Sequence, residues 1–252
     1  MLKSIVDRAQ AVVLPRTHHG SSPAGVKLPP TVYRMGGAHF RSDAAFVASA
    51  VAEVGRLEEA IGLSPSSRLL DWGCGAGRLA VGIVERMGRI DRYHGVDIQQ
   101  HLVEWAERHL GDRPGFTFTH VDLANPRYNP GGSHERTIPG ASGDYDCFYA
   151  YSVFSHLMGE DTAAYLGEVA RLLAPGGREL VTAFVEEDVP EQEENPDGYG
   201  SLTWSGPLHC VRYERGFFEG MVRDAGLEVE SREHGQETDG QSLYILRLPD
   251  AS

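Results

Sequence analysis

Between Leu69 and Arg78 the chain reads Leu-Leu-Asp-Trp-Gly-Cys-Gly-Ala-Gly-Arg, an apolar run that enters a bend with glycine at every second position and leaves it with helical spacing. This is a strand, a turn and a helix in which backbone can approach a ligand where side chains would block it. The same rhythm recurs downstream. Strands are predicted over 68–71, 93–96, 116–121, 145–150 and 179–185, and helices over 78–87, 100–110 and 162–173, the last closed by Pro175-Gly176-Gly177. Ser42 is a plausible N-cap for an earlier helix whose apolar positions, from Phe46 to Ile61, end near Gly62. Strand and helix alternating in this way imply a parallel sheet with helices on both faces. The end differs, with a helix over 213–225, a strand over 227–232, a turn at Asp239-Gly240 and a strand over 242–248.

A chain of 252 residues suits one large α/β domain. Residues 1–40, with an amphipathic stretch over 2–13 and a Pro/Gly/His-containing segment over 15–30, read as an N-terminal arm or cap, and residues 41–252 as the domain. Two stretches break the periodicity and read as loop insertions, 124–143 with three Pro and four Gly, and 186–212, which opens with seven acids in twelve residues. Lys plus Arg number 23 and Asp plus Glu 36, so the net charge of −13 repels phosphate backbones, and nucleic acid is excluded as a partner. No apolar run reaches the roughly 18–20 residues of a membrane span, and residues 1–16 lack signal-peptide features. A soluble, cytoplasmic monomer or homodimer is expected. Cys74, Cys147 and Cys210 lack metal-knuckle spacing and are expected to be reduced.

The ligand at the glycine bend follows from what surrounds it. A dinucleotide fingerprint, GxGxxG, would need glycine where the chain has Arg78. Asp71, two residues before the first glycine, would repel a pyrophosphate but suits a cation, and S-adenosylmethionine carries an ammonium and a sulfonium. Asp97, ending the next strand in Gly95-Val96-Asp97-Ile98, can accept from both ribose hydroxyls. Asp122, in Val121-Asp122-Leu123, can accept from an adenine amino group. One acid after a strand is usually a cap or a solvated loop residue; three at successive strand ends behind alternating glycines are harder to obtain by chance.

With LDWGCGAGR, GVDI, VDL, YDCFYAYSVFSHL and LLAPGGREL in that order, the chain resembles the class I S-adenosylmethionine-dependent methyltransferases from about Phe40 to Leu248. The resemblance implies a Rossmann-like seven-stranded, mostly parallel sheet with the last strand antiparallel. It implies S-adenosylmethionine as cofactor, with contacts near Gly73, Gly75, Gly77, Asp97, Ile98, Asp122, Leu123 and Ala150; Asp71 and Cys74 belong to the same expected set.

Methyl transfer is an in-line displacement that needs positioning and exclusion of water, and a hydroxyl acceptor also benefits from a base. His156, after the fourth strand, is the first candidate, although a helix-start histidine can equally serve to fix a loop; Tyr151 is the candidate for orienting the acceptor. Tyr33 and His39 in the arm, where Arg34 could meet a carboxylate, and Tyr199, Trp204 and His209 after the fifth strand are substrate-side candidates able to stack on or hydrogen-bond a sugar or aromatic ring. Glu186, Glu187 and Asp188 could be offered to magnesium, but consecutive spacing is poor for one ion, and no metal is assigned. The expected activity is O-methylation of a small molecule, a sugar or secondary-metabolite hydroxyl. N-methylation, or cofactor binding without transfer, are the alternatives.

Overall fold

The computed structural model describes residues 20–200 and 202–250, without the side chains of Ala38 and His39. The amphipathic stretch over 2–13 and the rest of residues 1–19 lie outside the described residues, as does the His39 side chain.

Helix α1 (Asp43–Ile61) starts where Ser42 Oγ accepts the Ala45 N–H and stops at Gly62, whose φ of 73° ends it in the left-handed region. Its buried face, Phe46, Ala50, Val54, Leu57 and Ile61, recurs every three or four residues. Strand β1 (Arg68–Trp72) then leads through the glycine bend into α2 (Arg78–Arg86). The two helices pack closely: a Cβ on Gly82 would stand 2.3 Å from the Ala50 carbonyl oxygen. There follow β2 (Arg92–Asp97), α3 (Gln100–Leu110), β3 (Phe116–His120), β4 (Tyr145–Ala150), α4 (Gly159–Leu172) and β5 (Leu173–Glu186). After β6 (Gln192–Glu194) and β7 (Val211–Glu214) come α5 (Arg215–Asp224), β8 (Glu228–Glu233) and β9 (Ser242–Arg247).

Seven strands run side by side in the order β3-β2-β1-β4-β5-β9-β8, all parallel except β9, which is antiparallel to both neighbours. This is the expected Rossmann-like sheet. Successive residues of β1 serve opposite faces: Leu69 packs with Tyr93, Leu180 and α1 to α3, while Leu70 packs with Val96, Phe148, Val181 and the helices α4 and α5. The strand order reverses between β1 and β4, and at that point the strand C-terminal ends leave a crevice, the usual ligand position in open α/β sheets.

Two expectations need correction. The helix expected from residue 213 begins at Arg215; residues 211–214 are a strand that pairs parallel with residues 184–186 of β5, and the Glu214 carboxylate caps the helix by accepting the Phe217 N–H at 2.9 Å. Residues 192–194 pair antiparallel with β7, so the 186–212 insertion contains a two-stranded extension of the sheet. In the arm, Val26 and Leu28 are fully buried in the core beside α1 and α2, and the Ser22 hydroxyl and the Ala24 N–H both bond the Glu85 carboxylate. Cys74, Cys147 and Cys210 are free and buried. Among the described residues no helix is long and apolar enough to cross a membrane.

One core position breaks the apolar pattern. Glu179, in register with Phe148 and Leu246, is fully buried, and neither carboxylate oxygen has a partner. Burial pushes its carboxyl up to about 8. The folded state therefore keeps this proton up to about pH 8, whereas an unfolded chain releases it near 4.5, and stability falls as pH rises between those values. Glu179→Leu should abolish that slope and add roughly 3 kcal/mol at pH 7. Urea denaturation of both proteins at pH 5 and pH 8 checks this; a wild-type slope retained in the variant would contradict it.

Candidate active site

The bend after β1 is set by glycine conformation and by bonds to the end of β2. Gly73, Gly75 and Gly77 have φ of 83°, 53° and 80°. At Gly77 a Cβ would stand 2.6 Å from Leu110 Cδ1, so this glycine lets α2 approach α3; at Gly75 nothing lies within 4 Å, so the bare backbone faces open space. The N–H groups of Gly73 and Cys74 both donate to the Val96 carbonyl, at 2.8 and 3.2 Å. Asp97 completes the clamp, one oxygen accepting from Gly75 N–H and the other from Gln99 N–H, each at 2.8 Å. Burial pushes the Asp97 carboxyl up, and these backbone bonds oppose the shift by favouring the charged form. Each oxygen keeps a lone pair for a ligand hydroxyl.

Asp71 is buried beneath the bend and accepts a hydrogen bond from the Tyr93 hydroxyl. Burial pushes it up to about 7, against the pull of that bond and of the Arg78 charge. Arg78 opens α2, donates to the Tyr149 hydroxyl at 3.4 Å and lies over the Phe40 ring at 5.6 Å.

A cavity of about 1040 Å³ spreads outward from this bend. Of the expected residues, Asp71, Gly73, Cys74, Gly75, Asp97, Ile98, Leu123, Tyr151, His156, Tyr33, Trp204 and His209 line it. Four do not. Gly77 faces Leu110; Ala150 is buried in the sheet opposite Val181; Asp122 is exposed and accepts the Asn129 amide N–H at 2.9 Å, leaving Leu123 and Ala124 at the wall. Tyr199 stands behind the wall, its hydroxyl donating to Glu186 and its carbonyl accepting the Trp204 indole N–H at 2.8 Å, so it fixes Trp204 in place.

His156 is held from both sides. Its Nδ1 lies 2.8 Å from the Leu208 carbonyl, which can only accept, so Nδ1 carries the proton and Nε2 accepts from the Tyr128 hydroxyl at 3.2 Å. Burial lowers its pKa to about 4, so the ring is neutral at neutral pH. His209 has the opposite tautomer: Nδ1 accepts the Ser205 N–H at 3.0 Å, which puts the proton of the neutral ring on Nε2. Tyr151 is tied to the turn between β8 and β9 through Thr238 and Glu237, at 2.7 and 3.1 Å, and Arg56 lies over its ring.

The structure adds wall residues that sequence pattern missed. Asn125 builds the turn after β3: its side-chain oxygen accepts the N–H groups of Arg127 and Tyr128, and its amide donates to the His156 carbonyl. Arg127 and Tyr128 thus reach the cavity from a stretch without periodicity, which offered no signal. Glu53 did leave one, as an acid on the apolar side of α1. Of the acids offered to magnesium, Glu186 is engaged with Tyr199 and His234, and Glu187 with Arg215. Among the described residues no group of three or more His, Cys, Asp or Glu is placed to hold a metal ion.

Residues 70–178 match the family model of a methyltransferase domain. A protein of Talaromyces variabilis described as the S-adenosyl-L-methionine-dependent Diels-Alderase iccD is 28% identical over 188 residues, which take in 71% of this chain and 60% of that protein, so the chain spans about three fifths of that relative's length. Among solved structures, the [4+2]-cyclase SpnF superposes with a TM-score of 0.59 at 19% identity, covering 84% of this chain and 83% of that one. Magnesium protoporphyrin IX methyltransferase from Synechocystis PCC 6803, solved with bound S-adenosylmethionine, gives 0.55 at 17% identity, covering 86% and 87%. The methyltransferase-domain match begins on β1 and ends on β5, taking in the glycine bend and Asp97, and the fold around it is shared with these solved proteins.

Proposed function

We propose that this protein transfers a methyl group from S-adenosylmethionine to a hydroxyl oxygen of a small molecule bound in the outer part of the same cavity. The observation that carries the reading is that the glycine bend and the Tyr128–His156 pair line one continuous space of about 1040 Å³, at the upper end of the roughly 300–1,000 Å³ usual for one small-molecule site. The inner residues fit the donor. Asp97 can take the ribose hydroxyls, Asp71 the ammonium group and Arg78 the carboxylate, and the open face of Gly75 admits the adenosyl backbone.

S-adenosylmethionine supplies an electrophilic methyl carbon and a neutral thioether leaving group. The remaining work is orientation. The acceptor oxygen forms its bond to the methyl carbon as the carbon–sulfur bond breaks, the bonding pair stays on sulfur, and the hydroxyl proton must leave. Tyr128, whose own O–H is directed at His156 Nε2, presents its oxygen to that proton, and His156 is the acceptor behind it. Because burial holds the imidazole near pKa 4, His156 takes this proton only in passing and releases it to solvent, and its lasting role is to orient Tyr128.

The same feature favours a second reading, an enzyme that holds S-adenosylmethionine while promoting a cyclisation of a bound substrate. Such a reaction needs no base, and two of the similar proteins are described as a Diels-Alderase and a [4+2]-cyclase. Methyl-labelled S-adenosylmethionine separates the readings. With a panel of phenols and sugars, the methyltransferase reading predicts label in an acceptor, and His156→Ala lowers kcat by about 10²-fold. Tight cofactor binding with no label in any hydroxyl compound would contradict transfer, and unchanged turnover in the variant would contradict the role of His156.

Asp71 makes the donor assignment testable through pH. An ammonium beside it favours the ionised carboxylate, so S-adenosylhomocysteine should bind with little pH dependence above 7 and weaken about tenfold per unit below it, releasing a proton on binding near pH 7. Calorimetry in buffers of different ionisation enthalpy measures that proton. Asp71→Asn should remove both the proton release and the slope; their persistence would show that another group is responsible.

A further inference from the structure

We propose that the acceptor carries an anionic oxygen group, a carboxylate or a phosphate, and that Arg127 binds it with His209 as a second donor. The proposal rests on the reading above for where the acceptor sits. Arg127 lines the cavity with no carboxylate partner within ion-pair distance among the described residues. Its polar contact is a 3.4 Å bond from Nη1 to the Ser205 carbonyl, its guanidinium lies 5.5 Å from the centre of the Tyr128 ring, and its Nε–H is buried with no partner. Acids outnumber bases 36 to 23 in this chain, and arginines elsewhere hold carboxylates, as Arg34 holds Asp43 and Arg136 holds Asp161. A buried donor left unmatched is costly, and a guanidinium fork is the side chain best shaped for a carboxylate or phosphate.

The residue is also held in place. Asn125 accepts the Arg127 N–H at 2.9 Å, so the guanidinium starts from a fixed turn. His209 adds directionality. Its Nδ1 is taken by the N–H of Ser205, the residue whose carbonyl Arg127 touches, so the neutral ring keeps its Nε2–H as a donor on the same wall as the guanidinium. Asp239 is in the same wall and its charge reaches His209, but it makes no ion pair with Arg127. With Tyr128 carrying both the hydroxyl that faces His156 and the ring against Arg127, the site would select a hydroxylated ring compound that bears an acid group.

The test uses protein saturated with S-adenosylhomocysteine and three probes of similar size: 4-hydroxybenzoate, phenyl phosphate and the neutral 4-hydroxybenzamide. At least one anion should bind about tenfold more tightly than the amide, and the preferred one tells carboxylate from phosphate. Arg127→Gln should weaken that anion by about tenfold or more and leave the amide unchanged, while Arg127→Lys recovers part of the loss. If Arg127→Gln melts like the wild type and takes up S-adenosylhomocysteine normally, yet binds the anion as well as the wild type does, the proposal is overturned. Anions binding no better than the amide in the wild type also overturn it. Failure of S-adenosylhomocysteine to bind the wild type would instead strike the donor assignment, and this proposal with it.

Discussion

The Asp97 carboxylate holds the site together. It stands at the end of β2, takes the Gly75 N–H with one oxygen and the Gln99 N–H with the other, and so locks the glycine bend to the start of α3. Burial alone would favour its neutral form, which could not accept at both oxygens as strongly; the two backbone donors oppose that tendency. The Val96 carbonyl, receiving Gly73 and Cys74, continues the clamp by one residue. With the bend fixed in this way, the bare face of Gly75 and the remaining lone pairs of Asp97 point into one space, a preorganised surface for an adenosyl group.

Around that clamp the wall is assembled from segments far apart in sequence, each fixed by side-chain bonds to backbone. Asn125 ties the turn after β3 to the loop after β4; His156 ties that loop to Leu208; Gln241 accepts from Thr182 of β5 and donates to Ser152, joining the β8–β9 turn to β5 and to the loop after β4. Because these ties use neutral groups whose partners are satisfied, the outer cavity keeps a defined shape without ion pairs crossing it. Arginines on the outside of the molecule are largely matched by acids, whereas Arg78 and Arg127 make no ion pair within 4 Å among the described residues and both face the cavity. The same wall carries Glu53, Asp71, Asp97 and Asp239, so it presents both signs of charge where a zwitterionic donor and its acceptor would meet.

What the sequence disclosed, it disclosed through local physics. Alternating glycines after an apolar run encode a strand, a bend and a helix within ten residues, so the bend over 69–78 was readable, whereas Asp97 was legible only as a ligand acceptor and its bonds to the Gly75 and Gln99 N–H groups were not. The parallel sheet was readable because strand and helix periodicities alternate. The acceptor side was not. Arg127 and Tyr128 reach the wall because Asn125 folds an unperiodic stretch back on itself, and Asp122, placed in the wall by its position after a strand, turns outward to Asn129 instead. The spacing around Tyr213 predicts a helix, and pairing with β5 overrides that local preference. The tautomers of His156 and His209 depend on carbonyl and amide partners some fifty and four residues away, which no spacing rule records.

The central claim is that the Asp97-clamped bend receives the adenosyl donor. Hydrogen–deuterium exchange with and without S-adenosylhomocysteine tests it most directly, since ligand contact slows exchange of the amides it covers. Protection confined to residues 72–78, 97–99 and 123–125 is the predicted result. Saturating ligand that leaves those segments unprotected, or that protects a different face of the sheet, would contradict the account.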